Sequence, residues 1–327
     1  TIEIEIFSGI INFFSCLYCL PVIPQQLHEA GYHVEGSFAT ICLVVGLGSI
    51  ASGLLTNTPL IIAPPTAISI FLASSLRSQN LLPLDGNLAV AMSGIAMFFL
   101  GIFGPIISFI TLLIPECIQA STTVGIGLLT ALAGATEIHL VVRGKYTLLE
   151  IGDITNEVII SMAGLVVLGM AIIHHSKLAY VISLGFGTIV WWSFIEEWPT
   201  KWTAVPEFHS DTLESGNSNT QILTFSLIFL NILTLFGLAR ALCDLAHITP
   251  SDGSIPRGRL LILVIGLCNI VSGLLYGPPI IISPETAGGI KAGAKTGLSA
   301  IVCGILFLLS IFWGPVFSRI PAVATSP

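Results

Sequence analysis

Polar residues are sparse along this chain, and where they fall marks out its elements. A helix crosses a bilayer with about 20 mostly apolar residues. Apolar runs near that length recur at 6–24, 38–56, 59–76, 87–114, 117–136, 157–174, 177–195, 221–245, 258–276, 279–290 and 296–318, eleven predicted spans. Polar stretches separate them at 25–36, 139–156, 196–220 and 249–258. The longest, 196–220, is acidic and rich in Ser, Asn and Thr, and it divides the chain into two unequal parts. The first span is predicted to end near Pro21 and Pro24.

The third and tenth spans do not read as ordinary helices. Residues 277–289, GPPIIISPETAGG, hold three prolines, three glycines and one carboxylate, Glu285. Each proline removes a backbone donor and clashes with the preceding turn. In lipid, the freed backbone groups must find partners in protein or in a water-lined cavity.

That stretch is the second copy of a repeat. Residues 52–67 read SGLLTNTPLIIAPPTA and residues 272–287 read SGLLYGPPIIISPETA, identical at ten of sixteen positions without a gap. The aligned pairs Pro59/Pro279, Pro64/Pro284 and Thr66/Thr286 are not what Leu- and Ile-rich helices share by chance. Interrupted hydrophobic segments at matching places in two halves point to a transporter binding site. The copies are seven spans apart, an odd number, so they cross in opposite directions, as in an inverted repeat of seven spans each. On that pattern about three further C-terminal spans are expected beyond Pro327.

Composition agrees with membrane residence. Charged residues are 9 % and hydrophobic residues 54 % of 327, and mean hydropathy is +0.95. Soluble domains carry about 25 % charge. The net charge of −7 and the lack of basic clusters exclude nucleic acid as a partner. The seven cysteines lie in or beside apolar spans and read as small buried residues, Cys16 and Cys19 included. Trp191, Trp192, Trp198 and Trp202 read as an interfacial belt. No nucleophile–base pair, metal cluster or phosphate loop stands out, so neither an enzyme nor a cofactor is expected.

Pro65 of the first copy is replaced by Glu285 in the second. An ionisable group at membrane depth costs a few kcal/mol and marks a functional site by default. Broken helices aim free N–H groups and a positive dipole end inward. A carboxylate there can accept hydrogen bonds from substrate N–H groups or hold a proton. The plain alternative is a Glu that caps a helix and faces solvent. Asn231 and Thr234 lie one turn apart on the eighth span, where Asn can contact substrate or join helices. Asp244 can pair with Arg240 one turn away.

The run PETAGGIKAGAKTGLSAIVCGILFLLSIFWG, beginning at Pro284, resembles the tenth and eleventh spans of the nucleobase–ascorbate (xanthine/uracil) permease superfamily. Within it Gly293-Ala294-Lys295-Thr296-Gly297-Leu298-Ser299 is similar to the family's Gly-x-basic-Thr-Gly-Leu run. NTPLIIAPPTAISIF at 57–71 resembles the third-span motif, and FSLIFLNILTLFG at 225–237 the eighth span. The adenine/guanine/hypoxanthine branch is the nearest in pattern. The resemblance implies an all-α seven-plus-seven inverted repeat with discontinuous third and tenth spans. It places the core domain at 1–114 and 221–327, the gate domain at 115–195, and the polar loop at 196–220 between them.

On that resemblance the function is secondary transport of a purine-like nucleobase, coupled to a proton or cation, in the plasma membrane, with a homodimer as the family's habit. Glu285 would bind the base. Ser283, Pro284, Thr286, Thr234, Asn231 and the segment Leu60, Ile62 and Ala63 would complete the site. Thr234 stands where the branch carries an acid. Two other readings stay open: an anion transporter of the same fold, and a membrane sensor or scaffold that binds without flux.

Overall fold

Pro21 has no N–H to offer the carbonyl of Leu17, and its ring crowds that carbonyl. The first span therefore breaks there. Helix α1 runs Ile2–Cys16, and α2 runs Cys19–His28. The turn between them uses tighter bonds, Leu17 N to Phe14 O and Leu20 N to Leu17 O. This corrects the expectation of one span ending at the prolines: the break comes four residues before Pro21, and helix resumes past Pro24.

The computed structural model describes residues 2–103, 116–142, 149–174, 179–194, 218–249 and 255–317, with Gly144, Thr203 and Ile320. Most of the 196–220 loop, including Trp198 and Trp202, lies outside them. After α2 come α3 (Val34–Thr56), β1 (Ile62–Ala63), α4 (Thr66–Ser78), α5 (Pro83–Ile102) and α6 (Glu116–Glu137). A short hairpin, β2 (Val141–Val142) with β3 (Glu150–Ile151), leads to α7 (Asn156–Ile173) and α8 (Ala179–Phe194). The chain continues through α9 (Ser218–Leu245), α10 (Gly258–Leu274), β4 (Ile281–Ile282), α11 (Thr286–Ala292) and α12 (Gly297–Ser310). A 3-10 turn at Ile311–Trp313 and α13 (Gly314–Phe317) follow.

Among the described residues, six helical stretches are long and apolar enough to cross a membrane, and two more are apolar but shorter. Side chains such as Leu47, Leu54, Phe229, Ile305 and Leu309 point outward from these helices and are exposed. Ser, Thr and Asn side chains are buried inside, among them Ser49, Ser52, Asn87, Asn269 and Ser272. An apolar outside around a partly polar inside is the arrangement of a protein dissolved in lipid. The protein is a multi-pass membrane protein.

Residues 59–65 and 278–284 are not helical. They meet as an antiparallel pair, Ile62 opposite Ile282 and Ala63 opposite Ile281. The backbone groups that the prolines free are taken up by the helix before each segment. Ser49 Oγ accepts from Ile62 N and donates to Ile62 O, both at 3.2 Å. At the equivalent place, 220 residues on, Asn269 accepts from Ile280 N at 2.8 Å and donates to Ile280 O at 2.6 Å. Ser52 holds Leu60 O at 3.1 Å, and Ser272 holds Pro278 O at 2.6 Å. Two helices, each with two polar residues three apart, thus clamp two extended segments.

Glycine decides which helices cross closely. In α3, Gly46 and Gly53 face Gly304 and Gly297 of α12; a Cβ on Gly53 would fall into the backbone of Gly297. In α10, Gly266 and Gly273 face α5, where a Cβ would lie 2.6 Å from Phe98 N and from Ala91 N respectively. Without Cβ atoms the backbones come together and gain dispersion contact. Gly46 and Gly53 are Gly266 and Gly273 at the repeat offset, so equivalent helices use equivalent glycines.

Candidate functional site

Glu285 immediately precedes α11, but its side chain does not cap that helix. It turns toward the break in the first span. Tyr18 Oη donates to Glu285 Oε1 at 2.5 Å. Ser283 Oγ donates to Glu285 Oε2. Thr66 Oγ1, the first residue of α4, donates to Tyr18 Oη at 3.3 Å. Cys16 Sγ lies 3.3 Å from Ser283 Oγ. Because that serine hydrogen is committed to Glu285, the thiol is the donor. Thr66 and Glu285 belong to the two repeat copies, so Tyr18 bridges the copies from a third element.

Two neutral hydroxyls, rather than a cation, hold the carboxylate. Glu285 and Tyr18 are half-buried, whereas Ser283, Thr286 and the strand residues around them are buried. The carboxylate is thus only partly enclosed by the described residues. A carboxylate oxygen that accepts one hydrogen bond retains a further lone pair, so it can also accept from another N–H group.

The other expected residues take three kinds of place. Ser283 touches the carboxylate directly, and Pro284 sits half-buried beside it. Thr286 is fully buried and spends its hydroxyl on Ile61 N at 3.3 Å, which ties the tenth span to the third. Leu60, Ile62 and Ala63 are buried, and the backbone of Leu60 and Ile62 is already bonded to Ser52 and Ser49. Helix α9 packs on α4, β4 and α11 and brings Asn231 and Thr234 to this side of the molecule, both buried. Asn231 Nδ2 reaches Ser93 Oγ of α5 at 3.4 Å, an inter-helix bond, and its Oδ1 has no partner among the described residues. Asp244 is exposed and accepts from Thr249 at 2.5 Å.

Sequence reasoning missed Tyr18. Its signal was present: Pro21 predicts a break at residue 17, and a polar ring at a break inside an apolar span is a candidate ligand. Cys16 and Cys19 are buried as expected and carry no disulfide; Cys117, at the start of α6, is exposed, against expectation. Lys291 and Lys295 are exposed.

The xanthine/uracil permease model, of the permease family, matches residues 3–327. Guanine/hypoxanthine permease GhxP of Escherichia coli O157:H7 is 29% identical, covering 100% of this chain and 76% of its own. Adenine permease AdeP of Escherichia coli K12 is 26% identical, over 100% and 75%. A putative permease of Haemophilus influenzae is 30% identical, over 100% and 77%. Among solved structures, the transmembrane domain of a cyanobacterium bicarbonate transporter, BicA, is similar with TM-score 0.73 at 15% identity, covering 99% of this chain and 86% of that one. SLC26A9 is similar with TM-score 0.64 at 12% identity, over 99% and 57%. At these identities the structural likeness speaks for the fold alone.

Proposed function

This chain belongs to the permease family whose xanthine/uracil permease model spans residues 3–327, and we propose that it carries a purine nucleobase across a membrane, with Glu285 as the recognising group. Curated relatives named as guanine/hypoxanthine and adenine permeases align over the whole chain. The observation that carries the reading is the carboxylate itself, held by Tyr18 and Ser283 where the two Pro-rich segments meet. Guanine presents two adjacent N–H donors along one edge, N1–H and the 2-amino group, and adenine and hypoxanthine each present at least one N–H. A half-buried carboxylate can accept from such donors, and a polar site of this kind rejects analogues lacking them.

The discontinuous third and tenth spans belong, on this reading, to an inverted repeat. Their antiparallel pairing, the Ser49/Asn269 and Ser52/Ser272 clamps and the matched glycines support it. Residues 1–114 and 221–327 would form the core domain that holds substrate, and 115–195 the gate domain. Transport would proceed by movement of one against the other, coupled to a proton or cation.

An anion transporter of the same fold is the second reading. A carboxylate at the junction repels an anion, which weighs against it. The test is uptake of labelled adenine, guanine, hypoxanthine, xanthine and uracil, with bicarbonate alongside, by cells expressing the protein. Uptake of a purine that Glu285→Ala abolishes is expected. Uptake of none of the bases, or an unchanged rate in Glu285→Ala, overturns the proposal.

A further inference from the structure

One face of α1 carries polar side chains that the site does not use. Glu5, Ser8, Asn12 and Ser15 are spaced by three, four and three residues, so they line a single stripe. The stripe lies against α11, α12 and the turn between them. All four are buried. Glu5 Oε1 accepts from the backbone N–H groups of Lys295 and Thr296, at 2.9 and 3.1 Å. Asn12 Oδ1 accepts from Gly289 N at 2.8 Å. The glycines permit this approach: a Cβ on Gly289 would collide with Asn12, and one on Gly288 would lie 3.1 Å from Ser15 Oγ.

These bonds use half of Glu5 and Asn12 and none of Ser8. Glu5 Oε2, Ser8 Oγ and Asn12 Nδ2 are buried with no partner among the described residues. Glu5 is 8% exposed, and Ser8 and Asn12 are 0%. A buried polar atom left unpaired costs about 1–3 kcal/mol. The three atoms are of three kinds: a pure acceptor, a hydroxyl that can do both, and a pure donor. The orientation of the Asn12 amide is set, because Gly289 N–H requires the oxygen. A cation would suit Glu5 and Ser8 but not the Asn12 N–H groups. Water suits all three, since it donates to Glu5, exchanges with Ser8 and accepts from Asn12.

We propose that this stripe holds a chain of buried waters running from Glu5 to the Glu285 site, and that it conducts the coupled proton. The inference rests on the transport reading above. Glu5 to Cys16 is about 16 Å along the helix, and Cys16 reaches Glu285 through Ser283. A proton arriving at Glu5 Oε2 passes to the first water. Each water gives one hydrogen onward as it receives one, and the last proton reaches the Glu285 end. O–H bonds form and break along the waters; at the last step Cys16 S–H gives its hydrogen to Ser283 Oγ as Ser283 gives its own to Glu285, the thiol is refilled from the last water, and the chain returns by reorientation. The titratable or charged groups on the facing elements are Glu285, Lys291, Lys295 and Cys303. Both lysines are exposed, which places the Glu5 end toward the surface.

The test uses the purified protein in liposomes with labelled hypoxanthine, guanine or adenine and an internal pH dye. Two rates are read: exchange of base at equal pH, and accumulation driven by a pH gradient. Glu5→Gln keeps the acceptor for Lys295 N, and Ser8→Val removes no bond to protein. Both variants are expected to exchange within about twofold of the parent and to accumulate at least about tenfold less, with loss of the dye signal. Accumulation at the parent level, or exchange lost in the same proportion as accumulation, overturns the proposal; the second result marks a merely structural stripe. If the parent protein exchanges no base, the transport reading fails on its own. The waters are then tested by radiolytic hydroxyl labelling in 18O water. Labelling of the α1 peptide that Ser8→Val removes supports them, and an unlabelled α1 peptide in the parent overturns them.

Discussion

Glu285 owes its direction to two hydroxyls, Ser283 on its own segment and Tyr18 on the first span, and the Tyr18 arm can be dismantled one bond at a time. A hydrogen bond to a charged group contributes about 1.5–3 kcal/mol. Tyr18→Phe removes the phenol that donates to Glu285 Oε1, so the KM for the transported base should rise at least about tenfold. The maximal rate should fall less, and initial-rate uptake over a range of base concentrations checks both. Thr66→Val loses only the bond to Tyr18 and should cost about threefold or less on the same assay. Glu285 was legible in the sequence because it is the letter the two repeat copies do not share. The break beside Tyr18 was legible from Pro21, but its partner was not, because that partner is 267 residues away and nothing in an apolar run states which distant segment a ring will meet. Asn231 and Thr234 were legible as one helical face, but the Ser93 partner of Asn231 lies on α5 and has no local trace.

The elements respond to substitution according to which backbone groups they serve. Asn269 satisfies both the N–H and the carbonyl of Ile280, whereas Ser52 satisfies only the Leu60 carbonyl. Asn269→Ala should therefore lower the Tm of the detergent-purified protein by more than Ser52→Ala does. Thermal melting followed by tryptophan fluorescence measures it. The glycines give opposite signs. Gly53→Ala drives a Cβ into Gly297 of α12 and should lower Tm. Gly169→Ala in α7 meets nothing within 4 Å. It should leave Tm unchanged or raise it, since Ala favours a helix over Gly by about 1 kcal/mol. Helix positions were readable because apolar runs and prolines are local signals. The antiparallel pairing of Ile62 with Ile282, and the choice of α12 as the partner of α3, depend on packing between segments far apart in the chain. The glycines spaced by seven held that information, but they name a close contact without naming the partner.

At the scale of the molecule, the two copies of the sequence repeat meet as an antiparallel pair, Ile62 opposite Ile282, among helices with apolar outer side chains. The repeat offset joins the levels: it relates the clamps Ser49 and Asn269, the glycines Gly53 and Gly273, and the first residues of α4 and α11, Thr66 and Thr286. What the two copies do not share is the carboxylate, Glu285 against Pro65, and on the proposed reading that difference sets the orientation of a polar ligand. Direct binding tests this most simply, because it needs neither coupling nor flux. Purified protein is titrated with guanine, hypoxanthine and adenine by calorimetry, alongside Glu285→Gln of equal Tm. The account expects one of these bases to bind the parent protein and to lose at least about a hundredfold in affinity in Glu285→Gln. Equal affinity in the two proteins, or no binding of any of the three to the parent, would contradict it.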